Sequence, residues 1–342
     1  RLRHYWSRLK GAQRPDLLAA RLLGRWLPDR LYMQLGHALY FRRWPDFESP
    51  RLLSEHIMAY TLRCRDPLLK VAADKARTRE YVAAVAGTQY LVPLYGVWER
   101  AEDVPLATLP RPCVLKPTAA SGLVHFLRAP LTPSPSPGGR GEEVGIAAPD
   151  GAALAVSEAD LEQLRLTLHK WLRRDYSRDH REWSYAGVRQ RILAEQMLLD
   201  ADGSVPRDCK AWVIGGKVRM LSVDRRRFTP QHTRNLYGPD WQLMHGRLLP
   251  PRNHAPDPRP PQLAEIIAVA EAIAAPFEFL RVDFLLHGDA FYVNELTNSP
   301  GAGYEKFEPQ SISLHLGSFW RPRAPREREE RARASAGREE IY

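Results

Sequence analysis

The chain has 342 residues, of which 44% are hydrophobic and 26% charged, and its formal net charge is +10. A chain of this size and composition can bury a large core, and no stretch approaches the roughly 20 apolar residues of a spanning helix or resembles a secretory signal, so we expect a globular cytoplasmic protein. The basic charge fits an anionic membrane surface or an anionic substrate, whereas the absence of a zinc-finger or aromatic RNA-binding signature argues against a nucleic-acid partner.

The N-terminal region, residues 1–66, is predicted to be α-helical. Between residues 1 and 47 there are ten Lys or Arg against three Asp, interleaved with Trp and Leu. A basic amphipathic helix of this kind either lies on the anionic inner face of a membrane or packs on its own domain, and the pattern leaves both open. Residues 52–62 have helical spacing of apolar side chains.

The next elements are a helix and two short strands. Residues 74–86 predict a helix with Asp74 as its N-cap and Gly87 as its C-terminal stop. Residues 90–98 and 112–117 read as strands, the second ended by its proline.

Residues 129–150 form a predicted low-complexity insertion rich in Pro, Gly and Ser. Such a segment buries too little surface to pack, so we expect it to be flexible. Because it follows a candidate phosphate-binding lysine, it is either a mobile lid or a tolerated insertion without a role. A helix is predicted to begin after it at Ser157, with Asp160 completing a capping box.

The middle and end of the chain are predicted to be mainly sheet, which makes the fold class α+β. The predicted strands are 192–199, 209–214, 217–224, 279–286 and 291–296, with a helix at 262–275. Gly215-Gly216 joins two of these strands as a two-residue hairpin, and a second hairpin turns near Gly288. Residues 321–342 are nearly all Arg, Glu and Ala, which predicts a solvated helix or a disordered tail.

The second hairpin predicts a metal site. If the turn centres near Gly288, Asp283 lies opposite residues 293–295 and close to Glu295, and adjacent carboxylates repel unless a cation lies between them. Mg²⁺ typically takes one or two protein carboxylates, so Asp283 and Glu295, helped by Asn298, suit this ion. Acids on a surface hairpin that simply face water are the alternative.

Three lysines on separate elements could neutralise a triphosphate. Lys116 ends one strand, Lys210 begins another and Lys75 starts a helix. The residues after Lys116 are small, and Ser121 and Gly122 would let backbone donors approach phosphate oxygens. The glycine patterns of P-loops and dinucleotide folds are absent.

An arginine run follows the first hairpin. Arg225, Arg226 and Arg227, with Arg234, are expected to border the same cleft and to bind an acceptor carboxylate and the acyl phosphate formed from it. A solvated basic turn is the alternative.

Several of these segments resemble the TupA-like branch of the ATP-grasp family, over about residues 49–316. The segments that carry the resemblance include Asp74-Lys75, Leu91-Val92-Pro93-Leu94-Tyr95-Gly96-Val97-Trp98, Val114-Leu115-Lys116, Ile192-Leu193-Ala194-Glu195, Asp208-Cys209-Lys210, Arg281-Val282-Asp283 and Glu295-Leu296-Thr297-Asn298-Ser299-Pro300-Gly301. The resemblance implies an ATP-grasp domain at residues 67–320 that uses ATP and Mg²⁺.

The resemblance also implies roles for individual residues. Lys116 would contact the α and β phosphates, Lys210 would reach toward the phosphates, and Asp283 with Glu295 would hold magnesium. Many ATP-grasp enzymes carry an Asn two residues after that Glu, whereas here Thr297 takes that position and Asn298 follows. The segment that meets adenine and ribose would be Glu195, Gln196, Met197 and Leu198. The candidate catalytic residues are Lys210, Arg225, Arg234 and Arg281, and the candidate cofactor-binding residues add Lys75, Lys116, Ser121 and Gly122.

The function that these expectations favour is ligation of a small-molecule or glycan carboxylate to an amine, in cell-surface polysaccharide or glycopeptide biosynthesis. Two alternatives stay open. One is phosphoryl transfer without a second step, as in a kinase, and the other is an inactive ATP-grasp scaffold held at the membrane surface by its basic N-terminus.

Overall fold

The computed structural model describes residues 26–128, 158–177, 181–253 and 255–322. Its α-helices are α1 (Asp29–Phe41), α2 (Leu53–Arg63), α3 (Leu68–Ala73), α4 (Lys75–Val85), α5 (Glu158–Leu172), α6 (Leu263–Ala274) and α7 (Ser311–Ser318). No described helix is long and apolar enough to cross a membrane. The predictions for residues 1–25, for the insertion 129–150 and for the tail beyond residue 322 fall outside the described part of the chain.

The larger sheet has five antiparallel strands in the order β10-β9-β5-β6-β7. These strands are β5 (Arg207–Ile214), β6 (Lys217–Arg225), β7 (Thr233–Tyr237), β9 (Phe279–His287) and β10 (Ala290–Thr297). Both predicted hairpins are confirmed. Gly215 and Gly216 join β5 to β6 with φ values of 61° and 79°. A two-residue turn whose twist matches that of the flanking strands requires positive φ at both of its central residues.

The smaller sheet has four antiparallel strands in the order β1-β4-β2-β3, comprising β1 (Leu94–Trp98), β2 (Cys113–Pro117), β3 (His125–Leu127) and β4 (Ile192–Gln196). Helix α5 covers one of its faces with Leu164, Leu168 and Trp171. Strand β1 begins four residues later than predicted, because Pro93 has no N–H to donate and a 3₁₀ turn, Thr88–Tyr90, precedes it. Two short strands, β8 (Arg247–Leu248) and β11 (Phe307–Glu308), form a separate pair.

Helix α4 begins as predicted at an Asp74 cap, whose carboxylate accepts a hydrogen bond from the Ala76 N–H at 2.9 Å. Helix α6 packs on the larger sheet against β5, β6 and β9. Its buried side chains Ile266, Ala270 and Ile273 recur at helical spacing, as the periodicity predicts.

The N-terminal helices α1 and α2 pack on the loop that follows β10. Tyr304 of this loop lies in a cluster with Met33 of α1 and Met58 of α2. Leu53 and Ile57 of α2 also belong to the main core that surrounds the larger sheet. The described N-terminal helices therefore pack continuously with the rest of the protein, and the boundary at residue 66 stays a prediction.

Candidate active site

One face of the larger sheet carries a row of charged side chains. Lys210 on β5 is registered with Asp283 on β9, and Asp283 with Glu295 on β10. One row along, Asp208 on β5 is registered with Asp224 on β6, and Asp224 with Arg234 on β7. Because side chains alternate along a strand and partners in register share a face, these residues all project from the same side of the sheet.

Asp283 and Glu295 are direct cross-strand partners, so their predicted pairing is confirmed, with a bulge between Val293 and Glu295. Arg281 donates two hydrogen bonds to the carboxylate of Asp283, at 2.6 and 2.7 Å, and Lys210 Nζ lies 3.4 Å from its Oδ2. Lys75 Nζ lies 3.5 Å from Glu295 Oε1. Asp283 therefore has Arg281 and Lys210 as cationic neighbours, and Glu295 has Lys75.

Lys210 is surrounded by carboxylates. Its side chain is 3% exposed, and its ammonium pairs with Asp208 and lies 3.3 Å from Asp224 and 3.4 Å from Asp283. None of these approaches has hydrogen-bond geometry. The lysine is thus held by charge at the centre of the row.

The surrounding cations outnumber these three acids. Arg227 pairs with Asp208, Arg234 with Asp224 and Arg281 with Asp283, so with Lys210 four cations face three carboxylates. The carboxylate of Glu305, 3.9 Å from Arg281 Nη1, brings the two signs into balance. A buried cluster with balanced charge avoids the cost of an unpaired ion.

The electrostatics of this cluster keep Asp208, Asp224 and Arg281 ionised. Burial raises the pKa of Asp224, but Arg234 and Lys210 outweigh it, so this pKa lies well below its usual range. The pKa of Asp208 is also lowered, since Lys210 and Arg227 outweigh its burial. Burial lowers the pKa of Arg281, yet Asp283 more than compensates and raises it. All of these groups are charged at neutral pH.

The smaller sheet contributes a second group of charges. Lys116 on β2 donates hydrogen bonds to Glu195 on β4 and to Asn294 Oδ1 on β10, the latter at 2.8 Å. Arg79 on α4 lies 3.4 Å from Glu195. Lys116 therefore spans from the smaller sheet to the strand that carries Glu295.

The loop after Lys116 is tightly held. The Lys75 N–H donates to the Thr118 carbonyl at 2.9 Å, and the Lys75 ammonium donates to the Ala120 carbonyl. The hydroxyl of Ser121 is buried without a hydrogen-bond partner in the described part of the chain. Gly122 has a φ of 77°, and among the described residues no atom beyond its chain neighbours lies within 4 Å of the position where a side chain would project. The loop thus offers an unsatisfied hydroxyl beside an unobstructed backbone.

The predicted adenine segment continues from β4. Two backbone hydrogen bonds hold this segment. The Gln196 N–H donates to the Pro93 carbonyl at 2.9 Å, and the Met197 N–H donates to the Pro112 carbonyl at 3.1 Å. The side chain of Gln196 is exposed, whereas Met197 and Leu198 are buried. The contact of this segment with a nucleotide stays a prediction.

The structure does not bring Arg225 to the cluster. Asp224 and Arg225 are consecutive on β6 and so point to opposite faces of the sheet, where Arg225 pairs with the buried Asp257. Asp257 also accepts from the Tyr237 hydroxyl at 2.8 Å and from the Asn235 amide at 3.1 Å. Arg225 thus belongs to a separate polar network.

Arg234 lies in the cluster but uses all of its guanidinium nitrogens within the protein. Nε and Nη2 donate to Asp224 at 2.6 and 3.0 Å, and Nη1 donates to the Leu249 carbonyl at 2.7 Å. This leaves Arg281 as the better placed arginine for a substrate, because its Nη1 makes no hydrogen bond to the described residues and only approaches Glu305.

The family model that matches this chain is the TupA-like ATPgrasp family, over residues 150–320. The match covers 171 of the 342 residues, which is half of the chain. The chain belongs to the TupA-like ATP-grasp family. Its mixed helices and antiparallel sheets accordingly form an ATP-grasp fold of the α+β class. No match was found among curated proteins.

Several solved structures resemble this TupA-like protein. An L-amino acid ligase from Bacillus licheniformis has 13% identity and a TM-score of 0.42, with 81% of this chain covering 57% of that one. The ATP-grasp ligase PsnB has 10% identity and a TM-score of 0.38, covering 78% of this chain and 65% of that one. A D-alanine–D-alanine ligase from Bacillus anthracis has 12% identity and a TM-score of 0.39, covering 77% and 71%. The chain spans less than two thirds of the first two proteins.

The TupA-like protein has oxygen donors that fit Mg²⁺. A carboxylate offers about four lone-pair sites, so Asp283 and Glu295 keep capacity for an ion beside their cationic neighbours. The Oδ1 atom of Asn298 is buried and has no hydrogen-bond partner among the described residues, while its Nδ2 donates to the Leu69 carbonyl at 2.9 Å. The described residues hold no group of three or more His, Cys, Asp or Glu that could bind a metal ion, so such a site would rest on this pair and Asn298.

Several residues of this TupA-like site escape sequence reasoning, namely Arg79, Asp208, Asp224, His232, Asn294 and Glu305. A signal for two of them is present. Asp208 and Asp224 each lie on a strand that otherwise reads as buried, and Asp208 is two positions from Lys210, which is the period of one sheet face. Charges in that pattern predict a polar face opposite an apolar one. The other four lie on helix α4, on strand β10 and in loops, and they carry no comparable signal.

Proposed function

We propose that this TupA-like protein is an ATP-dependent ligase, which activates a carboxylate as an acyl phosphate and joins it to an amine. The observation that carries the proposal is the convergence of Lys75 and Lys116 on strand β10. Lys75 lies 3.5 Å from Glu295, and Lys116 bonds Asn294 at 2.8 Å, beside the Asp283, Arg281 and Lys210 cluster. Cations from the smaller sheet and from α4 thus meet the acids of the larger sheet at one place, as phosphoryl transfer requires.

The residues have distinct tasks in this reaction. Asp283, Glu295 and Asn298 would hold Mg²⁺, and a bound ion would supply neutralisation of phosphate charge. Lys116 and Lys75 neutralise the phosphates from the smaller-sheet side, and the Ser121 hydroxyl and nearby backbone donate to phosphate oxygens. Glu195 orients Lys116, and the segment through Leu198 contacts the base and ribose.

The acceptor carboxylate binds at Arg281, whose Nη1 lies on the side away from Asp283. One of its oxygens attacks the γ-phosphorus, the bond between that phosphorus and the β,γ-bridging oxygen breaks, and ADP leaves with the electron pair. Lys210 and Arg281 stabilise the charge that spreads over the transferring group. The amine then attacks the acyl carbon and phosphate leaves. Because the nucleophiles are both supplied by substrates, the reaction needs no protein nucleophile.

We place this reaction in cell-surface polysaccharide or glycopeptide assembly, on the strength of the family alone, since a fold does not name a substrate. Peripheral contact with a membrane is supported by Trp44, which is 54% exposed and directly follows Arg42 and Arg43 in the chain.

Release of ADP from Mg-ATP tests the proposal. Panels of sugar acids, amino acids and amines are supplied singly and in pairs, and a ligase releases ADP at full rate only with an acid and an amine together. Turnover with a single acceptor and an unchanged rate on adding amines would identify a kinase instead. Binding of Mg-ATP without ADP release from any pair would favour the inactive scaffold.

Replacing Lys116 with methionine is expected to weaken ATP binding at least about tenfold, because a charge-assisted hydrogen bond contributes about 1.5–3 kcal/mol. The fold should persist, since Arg79 remains close to Glu195. Isothermal titration of Mg-ATP measures the effect. The matched control is Lys217→Met, which removes a lysine exposed at the β5–β6 hairpin and paired with Glu271. Equal ATP affinity in the two variants would contradict the phosphate role of Lys116.

A further inference from the structure

His232 lies at the end of the charged row, in a position that the reaction above does not use. It directly precedes β7 and is two residues from Arg234, so it shares the face of the sheet that carries the cluster. Its Nε2 lies 3.0 Å from Asp224 Oδ1, and its side chain is 16% exposed. The imidazole is thus partly buried at the rim of the cluster.

The partner of His232 determines which ring nitrogen carries the proton. Asp224 is ionised, because Arg234 and Lys210 outweigh the effect of burial on its pKa, and an ionised carboxylate only accepts hydrogen bonds. Nε2 must therefore be the donor, which leaves the lone pair of the neutral ring on Nδ1. Nδ1 has no hydrogen-bond partner among the described residues and is not a buried atom. Arg234 fixes the orientation of Asp224 through its two hydrogen bonds.

A short chain of contacts links His232 to the acids on β9 and β10. Asp224 Oδ2 is 3.3 Å from Lys210 Nζ, and Lys210 Nζ is 3.4 Å from Asp283 Oδ2. Two side chains therefore separate the imidazole from Asp283. Another histidine of the larger sheet, His287, is 3.0 Å from the Leu199 carbonyl and has no carboxylate partner in the described part of the chain. Within the described part of this sheet, His232 alone combines a carboxylate partner with an accessible ring nitrogen.

We infer that His232 is the general base of the second step, accepting a proton at Nδ1 from the ammonium form of the amine substrate. This inference rests on the proposed ligase function. Primary amines have pKa values of about 8 to 10 and are protonated at neutral pH, so they need to lose a proton before they can attack. Imidazole is the side chain that most often serves this purpose, and Asp208 and Asp224 are weaker bases because neighbouring cations lower their pKa values.

Amide formation removes two protons from the ammonium group and breaks one carbon–oxygen bond. The ammonium gives one proton to Nδ1, and the freed lone pair attacks the acyl carbon. The bond between that carbon and the phosphate oxygen breaks, and phosphate leaves with the electron pair and takes up the second N–H proton. The imidazolium, stabilised by Asp224, returns its proton to water. The products are an amide, hydrogen phosphate and one proton.

Hydroxylamine separates this role from a structural one, because it is largely unprotonated at neutral pH and attacks an acyl phosphate without a base. With the acid and amine pair that the ADP screen selects, His232→Gln is expected to lower amide formation about a hundredfold or more. With hydroxylamine in place of the amine, hydroxamate formation should fall far less, so the ratio of amide to hydroxamate drops at least tenfold. The control is His245→Gln, an exposed histidine of the same domain, which should leave the ratio as in the wild type.

Equal loss of amide and hydroxamate in His232→Gln would overturn the inference while leaving the ligase proposal intact. A wild-type protein that forms neither product with any acid would overturn both. A readout that needs no substrate is the tautomer of His232, observed through its ring ¹⁵N signals after assignment with His232→Gln. The proton is expected on Nε2, and a proton on Nδ1 would overturn the inference, since that nitrogen could then accept nothing.

Discussion

Glu295→Gln is expected to lower ADP release at least about a hundredfold while the protein remains folded. Glu295 is registered directly with Asp283, and its carboxylate supplies half of the acidic pair proposed to hold Mg²⁺. A bound divalent ion contributes several kcal/mol of charge stabilisation in a phosphoryl transfer, and each 1.36 kcal/mol is a factor of ten in rate. Glutamine keeps the shape of the side chain, and Lys75 keeps its hydrogen bond to the Ala120 carbonyl, so the protein should remain folded.

The companion variant Asp283→Asn should also lose turnover, but it is a less clean test. Asp283 is fully buried and accepts both hydrogen bonds from Arg281, so its neutralisation leaves a buried guanidinium without its counterion. Chemical denaturation therefore accompanies the ADP assay for both variants. Asp289→Asn, at the exposed turn of the same hairpin, is the matched control and should retain full activity. Wild-type ADP release in a folded Glu295→Gln protein would remove the metal assignment.

The second large effect concerns stability. Asp224→Ala is expected to lower the free energy of unfolding by about 3–5 kcal/mol, because removing one member of a buried ion pair leaves the other uncompensated. Asp224 is 1% exposed, accepts twice from Arg234 and lies 3.3 Å from Lys210. Its loss would leave Arg234 and Lys210 with one carboxylate fewer to compensate their positive charges in the centre of the sheet.

Urea denaturation measures this change. The control Asp103→Ala removes an exposed acid and should alter the free energy of unfolding by at most about 0.5 kcal/mol. A loss of stability in Asp224→Ala no larger than in this control would mean that the buried cluster does not stabilise the fold.

The same cluster predicts how stability depends on acid. The pKa values of Asp208 and Asp224 are lowered in the folded protein, so their contribution is fully present above the unfolded value of about 3.9. This stabilisation is lost as the pH falls through the pKa values of the two acids in the folded protein. The reason is that the unfolded chain binds protons more readily than the folded protein does. Urea midpoints measured between pH 7 and pH 3 should decline most steeply below about pH 4. A midpoint that rises over that interval would contradict the assignment.

Local patterns in the sequence determine much of the framework. The Gly215-Gly216 hairpin, the Asp74 cap of α4 and the pairing of Asp283 with Glu295 each depend on residues close together in the chain. Counting outward from the turn brings Asp283 opposite Asn294, and the bulge between Val293 and Glu295 then shifts its partner by one residue to Glu295. The segments that carry the family resemblance are likewise readable without coordinates.

The assembly of the site depends on the order of strands that are distant in sequence. Lys116 reaches Asn294 across 178 positions, and Lys210 meets Asp224 and Asp283 only because β5 lies between β6 and β9. Arg225 and Arg234 are separated for a related reason. Asp224 and Arg225 are consecutive on β6 and point to opposite faces, so Arg234, which pairs with Asp224, lies across the sheet from Arg225. Only packing decides which of the two faces holds the cluster. Sequence therefore determined the types of charge and their local spacing, whereas the tertiary structure decided which charges meet, because their pairing is fixed by sheet order and by the burial of one face.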